Sequence, residues 1–163
     1  MPIIRQEIFM PKIKVKKFDK YEFVYKTKIN VRDINYGGHL SNDSVVGLMH
    51  ETRIDMLNQM GFSELNLGDG QTGVIMSDLA VSFKSEGFML DKIEIFSHID
   101  EINDATFRIF YKIMRGDTLL VLAETGMVAY NYQKKQIGDI PKEFLTSLQK
   151  FCCEPVSESL NRR

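Results

Sequence analysis

The stretch RDINYGGHLSNDSVVGLMHETR, residues 32–53, joins two different patterns. Its first half is turn-rich, and the adjacent Gly37 and Gly38 permit close backbone approach or a positive φ. From Ser44 the pattern becomes helical, SVVGLMHETRIDMLNQM over 44–60, with Gly61 as the stop. Val45, Val46, Leu48, Met49, Met56, Leu57 and Met60 fall on a broad apolar arc. An arc this wide predicts a helix wrapped by a sheet rather than one lying on the surface.

The flanks supply that sheet. Residues 20–31 alternate, with Phe23, Tyr25, Thr27, Ile29 and Val31 on one face, which predicts a strand. After a loop over 62–73, four strands are expected at 74–86, 91–102, 105–116 and 118–133. Asn103-Asp104 and Gly116-Asp117 are tight-turn pairs and imply antiparallel hairpins. Leu79, Val81 and Phe83 share the face expected to be core, opposite Asp78, Ala80, Ser82 and Lys84. Pro141 opens a short final helix over 141–151. The order strand, long helix, four strands, helix predicts an α+β fold with one antiparallel sheet around one long helix. The Val- and Ile-rich strands would leave an unpaired edge, so a homodimer with a continued sheet is expected, and a dimer of dimers is left open.

At 163 residues the chain suits one domain, with a loose N-terminal arm at 1–12 and a polar tail at 152–163. Lys12, Lys14, Lys16, Lys17 and Lys20 alternate with Ile13 and Val15, which predicts an exposed edge strand guarded by lysines. Twenty-one basic residues against 22 acidic ones give no polyanion-binding surface, so no nucleic-acid partner is expected. No stretch reaches the roughly 20 apolar residues of a membrane span. The N-terminal apolar run is too short for a signal peptide, and Cys152 and Cys153 are sequence neighbours that suggest neither a disulfide framework nor a zinc site. A cytoplasmic location and no metal are therefore expected.

Chemistry should gather where the glycine turn enters the helix. The first helical turn offers N–H groups and a positive dipole end that could polarise a carbonyl oxygen. Asp33, Asn35, His39, Asn42 and Asp43 lie within a few residues of it. A neutral His39 could orient or deprotonate water, or could simply close the loop by a hydrogen bond. Asn42 and Asp43 are both favoured N-cap types; if Asn42 is the cap, Asp43 is freer to face the site. Asp33, two residues before Asn35, would point the same way if the strand continues, and could serve as a second carboxylate or merely stabilise the turn. Glu51 has no cation three or four residues away, so a simple helical ion pair does not account for it. Lys84 and Lys92 could meet phosphates as point charges or could be plain surface lysines. His50 and His98 have no ligand-spaced neighbours and read as structural.

This segment resembles the signature of the hot-dog thioesterases, which include the 4-hydroxybenzoyl-CoA and acyl-acyl-carrier-protein thioesterases. Their pattern is close to D-x-D-x-x-G-H-V-N-N followed by a helix with E-x-x-R or E-x-R. Asp33, Gly38, His39, Leu40 and Asn42 match in register, and Glu51 and Arg53 match the helix part. The resemblance covers about residues 20–150 and implies a hot-dog fold with acyl-CoA thioester hydrolysis. Coenzyme A would then be part of the substrate, with no separate cofactor. It places His39 where members carry a functional histidine. Gly37, Gly38, Asn42 and Lys84 are the residues expected to contact the substrate. Asn35 stands where many members carry a catalytic aspartate, and an amide cannot take a proton from water. The resemblance makes Glu51 the leading substitute, with Asp43 and Asp33 behind it. The same exchange raises a second reading, a non-catalytic module that binds acyl thioesters.

Overall fold

The computed structural model describes residues 13–153. Strand β1 (Phe23–Lys28) leads through a 3-10 turn at Val31–Asp33 to the long helix α1 (Asn42–Gln59). Strands β2 (Thr72–Phe83), β3 (Lys92–Asp100), β4 (Thr106–Arg115) and β5 (Thr118–Asn131) follow. A two-residue strand β6 (Gln136–Ile137) and helix α2 (Lys142–Cys153) complete the described chain. The sheet order is β1-β3-β4-β5-β2, with β6 on β5, and every ladder is antiparallel. The α+β hot-dog architecture expected from the sequence is present. The strands flanking α1 in sequence are thus the two outer strands of the path, and β2 returns to β3 by crossing the whole sheet.

Period-two alternation fixes which face meets α1. Ile93, Ile95, Ser97 and Ile99 of β3 are buried, as are Phe107, Ile109, Tyr111 and Ile113 of β4. They pack against Val45, Leu48, Met49, Met56 and Leu57 of α1, whose steps of three and four keep one stripe on the sheet. Phe144 of α2 closes one end of this core against Phe62 and Phe107, with ring centroids 5.6 and 5.3 Å away.

Several sequence expectations change. The first strand stops at Lys28, and Val31 lies exposed in the 3-10 turn. The lysine run forms no strand over residues 13–20, because Phe18 instead packs its ring on His98 and Phe110 at 4.4 and 4.8 Å. Lys16 pairs with Glu101 there. The connection at Asn103-Asp104 is five residues long with Glu101 at φ 52°, whereas Gly116-Asp117 does form a two-residue connection. Helix α2 runs to Cys153, so Cys152 and Cys153 belong to it rather than to a tail. The proposed arm, residues 1–12, and the rest of the tail lie outside the described residues.

The inner face of β2 differs most in burial. Leu79, Val81 and Phe83 do sit on the helix-side face, opposite Thr125, Ala123 and Val121 of β5. Yet Leu79 is 40% and Phe83 51% exposed, because α1 packs over β1 and β3 and leaves the far edge of the sheet open.

Candidate active site

The glycine turn is closed by its own backbone. Asn35 N–H donates to His39 O at 2.9 Å, Gly38 N–H to Asn35 O at 3.0 Å, and Gly38 takes φ 84°. A side chain at position 37 would put its Cβ 3.0 Å from His39 Nε2 and 3.3 Å from Asn35 Oδ1. Gly37 therefore makes room for the imidazole and the amide, which lie over it together. Gly37 and Gly38 thus both shape the turn, one by leaving space and the other by its positive φ.

The Asn35 amide grips His39 twice. Oδ1 accepts the His39 backbone N–H at 3.4 Å, and Nδ2 donates to ring Nδ1 at 3.2 Å. With Nδ1 acting as acceptor, the proton of the neutral ring sits on Nε2. That nitrogen faces a cleft of about 290 Å³ lined by Leu40, Asn42, Phe83, Lys84, Ser85, Glu86, Gly87 and Val121. The cleft thus brings together three residues singled out from the sequence: His39, Asn42 and Lys84. Lys92 is not among them; it opposes Lys28 across the β1–β3 ladder and lines a different cleft.

The carboxylates are placed elsewhere. Asp33 is buried at the end of the 3-10 turn, where Oδ2 accepts the Asn30 N–H at 2.7 Å and its carbonyl accepts the Ser41 N–H at 2.8 Å. The strand does not continue to position 35, so Asp33 does not point with Asn35; it staples the turn to the helix start. The N-cap is Ser41, with Asn42 the first helical residue, which corrects the expectation of an Asn42 cap. Ser41 makes no side-chain cap, because its Oγ donates to Asp43. The first-turn N–H groups are therefore left uncapped by it.

Glu51 and Asp43 line a second cleft with Arg32, Asp33, Ser44, Gly47 and Leu48. Glu51 accepts the Tyr25 hydroxyl at 3.3 Å and lies 3.8 Å from Arg32 Nη2. These partners come from β1 and the 3-10 turn, so no helical spacing could have found them. For Tyr25, partial burial first, then the nearby Glu51 and Asp55 charges, hold the phenol above its ordinary range. The structure does not place Glu51 beside His39.

Arg53, matched in the helix pattern, is structural. It is a buried residue of α1 itself, and its Nε donates to Glu64 Oε1 at 2.6 Å, while His50 Nε2 meets Glu64 Oε2 at 3.1 Å. His98 likewise contacts Glu22, at 2.6 Å. Among the described residues no group of three or more His, Cys, Asp or Glu is placed to hold a metal, and no helix is long and apolar enough to cross a membrane.

This frame recurs in solved structures. The 1,4-dihydroxy-2-naphthoyl-CoA thioesterase Slr0204 from Synechocystis superposes with a TM-score of 0.72 at 18% identity, over 82% of this chain and 98% of its own. The BH1999 gentisyl-coenzyme A thioesterase gives 0.68 at 19%, over 77% and 98%. SAV2348 from Staphylococcus aureus, solved in complex with CoA, gives 0.71 at 15%, over 86% and 87%. No curated protein sequence matches the chain. Identities this low carry the fold alone, but the sequence model of the thioesterase-like superfamily matches residues 29–148, from just after β1 to the middle of α2. A match over that span, holding both the glycine turn with His39 and the helix it feeds, makes this chain a member of the thioesterase-like superfamily.

Proposed function

We propose that the chain hydrolyses an acyl-CoA thioester to free acid and CoA, with water activated near the N-terminus of α1. The observation that carries this reading is His39, held by Asn35 in one orientation with Nε2 facing the cleft beside the uncapped first turn of α1. Backbone N–H groups there would stabilise the oxyanion that forms when water adds to the thioester carbonyl. Lys84, at the rim of the cleft, would meet a CoA phosphate as a point charge. Two solved neighbours named as CoA thioesterases, and a third solved with CoA, support the substrate class. A cytoplasmic location accords with an acyl-CoA substrate.

The test is thiol release from a panel of acyl-CoAs of varied chain length, with aromatic acyl groups included. Turnover of at least one is expected; absence of release from all would end the enzymatic reading. Asn35 favours one competing reading, a binding module. A rise in melting temperature with acyl-CoA, without any thiol release, would decide for it.

The exposed inner face of β2 fits the expected homodimer. Met76, Leu79 and Phe83 lie on β2, an outer strand of the path whose far edge pairs with no other strand among the described residues. A second copy pairing edge to edge would continue the sheet and cover them. Leu79→Asp is expected to shift the protein from dimer to monomer in light scattering at micromolar concentration. A dimer that survives the change would remove this edge as the interface, and a parent mass of four chains would show a dimer of dimers.

A further inference from the structure

His39 meets a carboxylate that its own segment does not supply. Glu86 comes from the crossover between β2 and β3, and its Oε1 lies 3.8 Å from His39 Nε2. The crossover is pinned to the glycine turn, because Leu40 N–H donates to Gly87 O at 2.8 Å. The other carboxylates of the region are engaged elsewhere. Asp33 accepts the Asn30 N–H, Asp43 accepts Ser41 Oγ, and Glu51 sits between Tyr25 and Arg32. Among the described residues, Glu86 is the carboxylate within 4 Å of the His39 ring. A separation of 3.8 Å is too long for a direct hydrogen bond and short enough for one water to touch both groups.

From this juxtaposition we infer that Glu86 is the general base of the hydrolysis, an inference that rests on the thioesterase reading above. His39 Nε2–H donates to the oxygen of the shared water and orients it. One O–H of that water points at Glu86, and its remaining lone pair faces the thioester carbon. As the C–O bond forms, the proton passes to Glu86 and the carbonyl oxygen becomes an oxyanion. Collapse of the adduct breaks the C–S bond, and the proton moves from Glu86 to the departing sulfur. One water is consumed, the acid and the thiol leave, and Glu86 returns to its ionised form. His39 is then a donor rather than the base, the role its tautomer permits.

The experiment compares the full-length parent with Glu86→Gln and Glu51→Gln by thiol release on the acyl-CoA panel, with kcat, KM and melting temperature measured for each. The Glu86 side chain is 66% exposed, so its replacement does not threaten folding. Glu86→Gln is expected to lower kcat about 100-fold, the scale of a lost general base, with KM within about threefold and the melting temperature unchanged. An active parent whose Glu86→Gln variant keeps kcat within threefold overturns the assignment and leaves the thioesterase reading standing. If that variant is intact and Glu51→Gln alone is impaired, the base returns to α1 and the inference is again overturned. A parent that releases no thiol from any acyl-CoA overturns both readings.

Discussion

Removing the imidazole by His39→Ala is expected to lower acyl-CoA turnover about 100-fold, with little change in melting temperature. The ring has one side-chain partner behind it, Asn35 Nδ2, and one carboxylate ahead of it, Glu86, and it fills no part of the apolar core. Its loss therefore removes orientation of the water without opening a core cavity. Turnover within threefold of the parent would remove His39 from the mechanism. A companion change reads the tautomer directly. Asn35→Asp replaces a donor with an acceptor opposite Nδ1, so the ring proton should move from Nε2 to Nδ1. Nitrogen chemical shifts of His39 would show the exchange. Nε2 then becomes an acceptor able to take the proton of water, and the variant should depend less on Glu86 than the parent does. A ring proton that stays on Nε2 in the variant would show that Asn35 does not set the tautomer.

What the sequence exposed and what it hid divide along the range of the interactions. Strand β3 could be read from Ile93, Ile95, Ser97 and Ile99 alone, because a period-two pattern needs only the strand's own residues. Helix α1 was equally visible, since its buried stripe lies within 18 residues. The lysine run imitates a strand by alternating, but Phe18 packs on Phe110 and His98, contacts that alternation does not encode. Inside the site, the glycine turn and His39 were legible as a local motif. The roles of the carboxylates were not, since each is decided by a partner distant in sequence or by a local bend. For Asp33 the choice between a second carboxylate and a turn stabiliser depends on whether the strand continues, and a 3-10 turn of three residues rotates it inward as the stabiliser. Glu86 carries no local signal at all: it lies 47 positions after His39, and only the crossover of β2 to β3 brings the two together.

Glu64→Ala is expected to destabilise the fold by about 3 kcal/mol at neutral pH, the scale found when one member of a buried ion pair is removed. Arg53, on the buried side of α1, is 7% exposed, and Glu64 is the carboxylate it meets, at 2.6 Å. Truncation strands the guanidinium, whereas Glu64 itself keeps some solvent. For a domain of this size the loss corresponds to a fall in melting temperature of roughly 6–12 °C. The pH dependence has a definite sign. Partial burial works against ionisation of Glu64, but the hydrogen bonds and charges of Arg53 and His50 outweigh it and hold the carboxyl below its ordinary value. A carboxyl depressed in the folded state contributes its full stability above the unfolded value, about 4.3, and loses it as pH falls through the folded one. The gap between parent and variant in urea unfolding should therefore be widest at pH 7 and should narrow below about pH 4.3. A gap that stays constant across that window would show that Glu64 acts through packing alone. The double change Arg53→Met with Glu64→Leu supplies the complementary test. It removes both charges and fills their space with apolar atoms, so it should recover most of the lost stability, because the cost lies in the stranded charge and not in the absence of a salt bridge.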